Sequence, residues 1–134
     1  MFMSAKFKTM QKVQIKNNRK DLSAPLWVKY CDSFLCQLRG LTFRKNLSKN
    51  EGLFFVQKRE SRIDTSIHMM FVFIDLGVVW LNSKHQVVDI KLAKKWHLIY
   101  IPSVPAQYFL EISPERLSEF QIGDQLSIEK NNLD

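Results

Sequence analysis

Glycine and histidine are scarce in this sequence, and their scarcity argues against several kinds of site. The chain has 134 residues and only four glycines, and it contains neither a glycine-rich phosphate loop nor a Gly-x-Ser-x-Gly nucleophile elbow. Its three histidines, His68, His85 and His97, are dispersed along the chain, whereas a metal site needs clustered ligands. The sequence therefore indicates no metal site and no cofactor.

Cysteine is also rare, since only Cys31 and Cys36 are present. The four residues between them match neither the Cys-x-x-Cys motif of redox proteins nor the paired cysteines of structural zinc sites. We therefore expect both residues to be buried free thiols, with no chemistry assigned to either.

No apolar run in the sequence is long enough to span a bilayer. The longest, from Met69 to Leu81, contains Asp75 and falls short of the roughly 20 residues that a transmembrane helix needs. At the amino terminus, Lys6 and Lys8 interrupt the apolar stretch that a secretory signal requires. We expect a cytoplasmic protein without a signal peptide or a membrane-spanning segment.

The formal net charge of +7 is concentrated at the amino terminus. Residues 1–20 contain six basic residues and no acidic one, which leaves 14 basic and 13 acidic residues in the rest of the chain. We interpret residues 1–10 as a flexible basic arm and residues 131–134 as a polar tail. Clustered lysines attract phosphate groups, so weak nucleic-acid association through the arm is one hypothesis. Short basic leaders are commonly only solvated, and nucleic acid is therefore not the favoured partner.

Residues 11–130 are interpreted as a single β domain, because the length suits one core and 46% of the residues are apolar. Apolar and polar residues alternate around Val13 and Val28, which is typical of half-buried strands, and we expect these two strands to pair as a hairpin. Val78–Leu81 is a continuous apolar strand, and a turn is expected to connect it to the alternating strand Gln86–Leu92.

Two short helices are expected among the strands. Asp32 or Ser33 can cap the first helix and Gly40 can end it, whereas Ser113 can cap the second, with Pro114 at its first helical position. About eight short strands and two such helices predict a mainly β fold, either a small antiparallel β barrel or a two-layer sheet with two short helices.

Five blocks of sequence, spread over residues 25–129, resemble one family. The blocks are Leu38–Arg44, Glu51–Leu53, Ile67–His68 together with Val78–Asn82, Ala106–Ile112, and Gly123–Asp124. Their order and spacing resemble the bacterial and archaeal family catalogued as domain of unknown function 192. The resemblance implies a small, mainly β, single-domain protein, for which we expect a bacterial source, and it implies no established activity.

The chain departs from the family pattern in one of these blocks. Where the family has a motif like Ile-Asp-Val-Val-Phe-Leu-Asp, this chain has Leu76–Asn82, in which Gly77 replaces the inner acid and Asn82 the last one. If those acids serve a site in the family, this chain has lost that part of the site, unless Asp75 substitutes for it.

Arg39, Arg44 and His68 are the candidate ligand-binding residues. Arginine presents a planar fork of donors that suits carboxylate and phosphate groups, and histidine exchanges a proton near neutral pH. The leading hypothesis is an uncharacterised binding or accessory module with an anion or carboxylate pocket, whose ligand is a small anionic molecule or a peptide. In a purely structural alternative, Arg39 bonds to helix carbonyls, Arg44 pairs with an acid such as Glu51, and His68 bonds to backbone.

Two further hypotheses remain open. One is a hydrolase-like enzyme, with His68 as the acid/base and Asp75 orienting it; no catalytic motif signals this, and a non-enzymatic role is favoured. Trp96 follows Lys94-Lys95, so a basic and aromatic loop is also a candidate partner contact. The other tryptophans and most phenylalanines are expected in the core.

Overall fold

The computed structural model describes residues 11–41, 45–69 and 71–130. The predicted basic arm at residues 1–10, the predicted tail at residues 131–134 and the candidate Arg44 lie outside the described residues.

Nine β-strands make up most of the described fold, which confirms the predicted mainly β class. They are β1 (Lys12–Asn17), β2 (Leu26–Cys31), β3 (Glu51–Ser61), β4 (Ile67–His68), β5 (Leu76–Leu81), β6 (Val87–Ala93), β7 (Ile99–Tyr100), β8 (Ala106–Ile112) and β9 (Leu126–Lys130). Seven of them form one sheet in the order β6-β5-β8-β3-β2-β1-β9, and β4 and β7 form a second sheet. A short α-helix, α1 (Phe34–Arg39), and a 3-10 helix (Pro114–Glu119) complete these elements.

The large sheet is mixed rather than purely antiparallel. β2 and β3 are parallel neighbours, because the connection that contains α1 returns the chain to the end of the sheet at which β2 begins. The β1–β2 and β5–β6 pairs are antiparallel hairpins, as the sequence predicts, and β9 pairs antiparallel with β1. The edge strands approach each other at one end through a bridge between Gln86 and Gln125, but the sheet does not close into a barrel.

Both faces of the large sheet carry an apolar core. On one face Phe55 and Phe109 stack with ring centroids 4.5 Å apart, in the same core as the fully buried Trp80. On the other face Phe54 and Leu110 belong to a second core. Neighbouring residues such as 54 and 55 enter different cores because side chains alternate along a strand, and this explains the continuous apolar runs of the central strands.

Helix α1 begins and ends where the sequence predicts. The Ser33 hydroxyl accepts a hydrogen bond from the Cys36 N–H at 3.1 Å, and Gly40 follows the last turn with a φ of +47°. The prediction of two free thiols is wrong, because Cys31 and Cys36 form a disulfide. β2 ends at Cys31, and the first turn of α1 brings Cys36 back towards it, so that their Cα atoms lie 5.5 Å apart, within the range of disulfides.

The second predicted helix forms as a 3-10 helix rather than an α-helix. Ser113 precedes it without a side-chain capping bond, and Pro114 occupies its first turn as predicted. Within the described ranges, no helix combines the length and the apolar character needed to cross a bilayer.

Candidate ligand-binding cavity

A cavity of about 150 Å³ opens beside α1 and β4, on the sheet face that carries Phe55 and Phe109. Its walls come from α1, from β3 and β8 of the large sheet, and from the segment that contains β4. Phe55 and Phe109 give it apolar surface, and its polar lining consists of Gln37, Arg39, Gln57, Asp64, Ser66, His68 and Glu111.

Gln37 fixes the position of α1 against the sheet. Its side-chain amide donates hydrogen bonds to the carbonyl oxygens of Val56 at 2.7 Å and Cys31 at 3.2 Å, and its own oxygen accepts one from the Gln57 amide at 3.0 Å. The disulfide adds a covalent link between the same helix and β2. Because Arg39 is the last residue of this helix, these contacts also place Arg39 at the cavity.

Two of the three predicted ligand-binding residues, Arg39 and His68, line this one cavity. The third, Arg44, lies outside the described residues. Both side chains are exposed, and within the described part of the chain neither takes part in a hydrogen bond or an ion pair. A guanidinium and an imidazole are therefore both available to a molecule in the cavity.

Glu111 contributes a buried carboxyl group to the same cavity. It lies on β8 between its Cα partners Leu53 of β3 and Val78 of β5, both apolar. Burial raises the pKa of Glu111 from 4.5 to about 8, because a low-dielectric environment disfavours the ionised carboxylate. At neutral pH the group keeps its proton and can donate a hydrogen bond.

Asp64 adds an acid that has its own partner. It lies in the turn after β3, and its carboxylate is 3.6 Å from the Nε atom of Arg59. The turn is braced by hydrogen bonds from the Asp64 N–H to the Ser61 hydroxyl at 3.1 Å and from the Thr65 hydroxyl to the Ser61 carbonyl at 2.6 Å. With Asp64 paired and Glu111 protonated, Arg39 gives the cavity a net positive charge at neutral pH.

Asp75 is not brought into the cavity with His68. Its carboxylate instead accepts a hydrogen bond from the Lys95 backbone N–H at 2.9 Å. Asp75 therefore lies beside the loop that contains Trp96. The Trp96 ring contacts Phe71 and Phe73, with ring centroids 5.7 and 5.5 Å apart.

The two positions at which the family acids are replaced also lie away from the cavity lining. The Asn82 side chain accepts hydrogen bonds from the backbone N–H groups of Lys84 and Gln86, which closes the β5–β6 turn. Gly77 is a fully buried residue of β5 that contacts the 3-10 helix. Neither replacement removes a group from the Arg39 cavity.

Glu111 is the residue that sequence reasoning missed. Its signal was present, because an acid interrupts the apolar strand around Phe109 and Leu110, but an isolated acid does not reveal what the neighbouring strands place beside it. In the described ranges, no group of three or more His, Cys, Asp or Glu residues is arranged to hold a metal ion.

Comparison with protein families gives one match across nearly all of the described fold. The DUF192 model, described as Uncharacterized ACR, matches residues 13–128. The UPF0127 protein TK1120 of Thermococcus kodakarensis is 45% identical over 102 residues, which cover 75% of this chain and 63% of that protein. The UPF0127 protein PH1112 of Pyrococcus horikoshii is 36% identical over 115 residues, which cover 84% of this chain and 96% of that protein. The chain thus spans less than two thirds of TK1120, and both relatives are archaeal, unlike the bacterial source that we expected.

Two crystal structures share the fold. One is that of a "putative transcription regulator" from Sinorhizobium meliloti, with a TM-score of 0.76 and 17% identity over 90% of this chain and 94% of that one. The other is a protein of unknown function from Novosphingobium aromaticivorans, with a TM-score of 0.71 and 20% identity. That match covers 87% of this chain and 83% of the other protein. At these identities the similarity concerns the fold alone.

Proposed function

We propose that this chain, which belongs to the DUF192 family, is a small binding module whose cavity accepts a carboxylate or another small anion. The observation that carries the proposal is the meeting of Arg39, His68 and the protonated Glu111 at one cavity. Three groups that can donate hydrogen bonds thus surround a space with a positive charge at its edge.

The donor set suits a carboxylate in particular. The guanidinium of Arg39 can bind both oxygens of a carboxylate through two parallel N–H bonds. The protonated Glu111 can donate its O–H to one of those oxygens, and His68 can donate a ring N–H. An ammonium group offers no acceptor to these donors, so the donor set favours the anionic group of a ligand.

The size of the cavity limits what enters it. A volume of about 150 Å³ is comparable to that of an engineered cavity that binds benzene. Phe55 and Phe109 can pack against the carbon skeleton of a ligand while the polar groups orient its charged end. A short organic acid, or the carboxyl end of a peptide, fits these dimensions.

Binding is tested by titrating the full chain with acetate, benzoate and inorganic phosphate while amide chemical shifts are followed by NMR. We expect Arg39→Gln to weaken binding of benzoate about tenfold or more, because it removes the charged fork. Lys58→Gln is the matched control, since Lys58 is an exposed cation of β3 that does not line the cavity. The proposal fails if none of the three probes binds, or if Arg39→Gln binds benzoate as well as the unaltered chain does.

A second candidate function is a hydrolase-like enzyme, and Glu111 is the observation that favours it. A carboxyl group with a pKa of about 8 can exchange a proton near neutral pH, and His68 lies at the same cavity. Asp75 is engaged by Lys95, so Glu111 is the better placed partner. Turnover of a panel of p-nitrophenyl esters that disappears in both Glu111→Gln and His68→Ala would support this function, and no turnover by the unaltered chain would count against it.

A further inference from the structure

Exposed apolar side chains lie on the two loops beside β4 and β7 and at the first position of β7. Trp96 is 51% exposed, Leu98 66% and Ile99 57%, and Phe71 is 45% exposed next to Trp96. We name these four residues the aromatic tip. Single exposed apolar residues are ordinary, but a pair of exposed rings in contact, followed closely in the chain by two more exposed apolar residues, is typical of a surface that contacts something other than water.

The backbone holds the aromatic tip in an unusual conformation. Phe71 and Trp96 have φ angles of +62° and +63°, in the left-handed region that bulky residues rarely adopt. The aromatic rings of these two residues contact each other. Such conformations persist only where surrounding structure imposes them, and they concentrate at functional sites.

Hydrogen bonds fix the two loops to each other and to the strands. The Met69 N–H donates to the Leu98 carbonyl at 3.3 Å, the Lys95 N–H to the Asp75 carboxylate at 2.9 Å, and the Lys94 N–H to the Tyr100 hydroxyl at 3.0 Å. These bonds connect the loops while the Phe71 and Trp96 rings stay about half exposed.

Cations adjoin the apolar side chains. Lys94 and Lys95 immediately precede Trp96 and are exposed, whereas one carboxylate, Asp75, lies at this loop. An apolar surface edged by lysines complements the boundary of an anionic bilayer, where apolar side chains enter the acyl region and ammonium groups remain among the headgroups. Tryptophan is enriched at this boundary because its ring is apolar and its N–H is polar.

We propose that the aromatic tip docks the protein on an anionic lipid surface, with Trp96, Leu98 and Ile99 entering the interface and Lys94 and Lys95 contacting lipid phosphates. Docking of this kind is peripheral and involves no spanning segment. It is independent of the carboxylate cavity, although His68, which lines that cavity, is the cross-strand partner of Ile99. A docked protein would therefore have the cavity close to the lipid headgroups.

The test is co-sedimentation of the full chain with vesicles of phosphatidylcholine alone and with vesicles of equal parts phosphatidylcholine and phosphatidylglycerol. We expect binding to the second kind only. Trp96→Ser should weaken it about tenfold, since it removes the largest of the apolar side chains that enter the lipid interface in this proposal. Replacing Lys94 and Lys95 together by glutamine should also weaken binding and reduce its sensitivity to salt. Tryptophan emission should shift to shorter wavelengths with anionic vesicles, and not in Trp96→Ser.

Ile122→Ser is the matched control for loss of an exposed apolar residue. Ile122 is 65% exposed in the turn whose Gly123 bonds to Val87 at the start of β6, whereas Trp96 follows the other end of that strand. The control should bind like the unaltered chain. Equal vesicle binding by Trp96→Ser would overturn the proposal and assign the binding to other basic residues. Absence of binding, or self-association that Trp96→Ser abolishes without any vesicle binding, would also overturn it.

Discussion

The side chain of Leu117 lies directly against Gly77, so that a Cβ atom added to this glycine would come within 2.6 Å of Leu117 Cγ. Leu117 belongs to the 3-10 helix, and Gly77 is the position at which the family resemblance leads us to expect an acid. An aspartate could not be placed here without moving Leu117. The glycine is therefore a packing requirement of this chain, and its presence removes nothing from the cavity on the other face of the sheet.

Gly77→Ala should lower the free energy of unfolding by about 1–3 kcal/mol, the usual cost of forcing an extra group into a packed contact. Urea denaturation of the single variant measures this cost. In combination with Leu117→Ala, which vacates the space, the loss should be smaller than the sum of the two single losses. Additive losses would show that the two residues do not compete for the same space.

The pKa of Glu111 predicts how stability depends on pH. The folded chain keeps the Glu111 proton up to about pH 8, whereas an unfolded glutamate loses it near 4.5. Between these values the unfolded state binds fewer protons, so the free energy of unfolding should fall as pH rises, by up to about 1.4 kcal/mol per pH unit. Glu111→Gln, which cannot ionise, should remove this decline.

The quantity to measure is the difference in the free energy of unfolding between the unaltered chain and Glu111→Gln at each pH. Burial lowers the pKa of His85. The contribution of His85 to the free energy of unfolding therefore rises with pH until its ordinary pKa is reached, which opposes the contribution of Glu111. Subtracting the two denaturation series removes the His85 contribution, because both proteins contain it. A difference that stays constant from pH 5 to pH 8 would contradict a neutral Glu111.

The disulfide predicts a redox dependence of stability. A bond between Cys31 and Cys36 closes a short loop, and its loss should cost about 2 kcal/mol in the chain-entropy account. Cys36→Ser should show this loss, and dithiothreitol should bring the unaltered chain to the same stability while leaving Cys36→Ser unchanged. Alkylation of both cysteines in the denatured but unreduced chain would contradict the disulfide.

Removing Arg116, the basic residue of the 3-10 helix, should cost far more stability than removing the exposed Lys49 nearby. Its buried guanidinium pairs with Glu119 at 2.7 Å and donates to the carbonyls of Lys49 and Ala24 at 2.9 and 2.8 Å. Arg116→Ala leaves these groups without their partner and should cost about 3–5 kcal/mol. Lys49→Ala removes only an exposed pair with Glu115 and should change stability by less than about 1 kcal/mol. Thermal denaturation compares the two, and equal losses would contradict the role of Arg116.

Local patterns in the sequence predicted the elements whose causes are local. The alternation around Val13 and Val28 predicted the first hairpin, and Ser33 and Gly40 marked the ends of α1. The parallel pairing of β2 with β3 was not predictable in this way, because it depends on the path of the chain through residues 32–50 rather than on either strand.

The candidate site was predictable only in part, for the same reason. Arg39 and His68 stood out as polar residues beside apolar strands, and both line the cavity. The pKa of Glu111 is raised by burial between Leu53 and Val78, which are its neighbours in the sheet but are distant in the sequence. The Cys31–Cys36 bond was missed because its geometry arises from a strand-to-helix turn that no cysteine motif describes.

The pairing of β9 with β1 has a consequence for the order in which the protein can form during synthesis. The edge of β1 that faces away from β2 can pair with β9 only after residues 126–130 have left the ribosome. Until then a nascent chain exposes the backbone donors and acceptors of that edge, which are the groups that recruit other strands. Shortened translation products that lack β9 expose this edge and also lack Leu126 of the second core, so they should aggregate or require chaperones more than the full chain does.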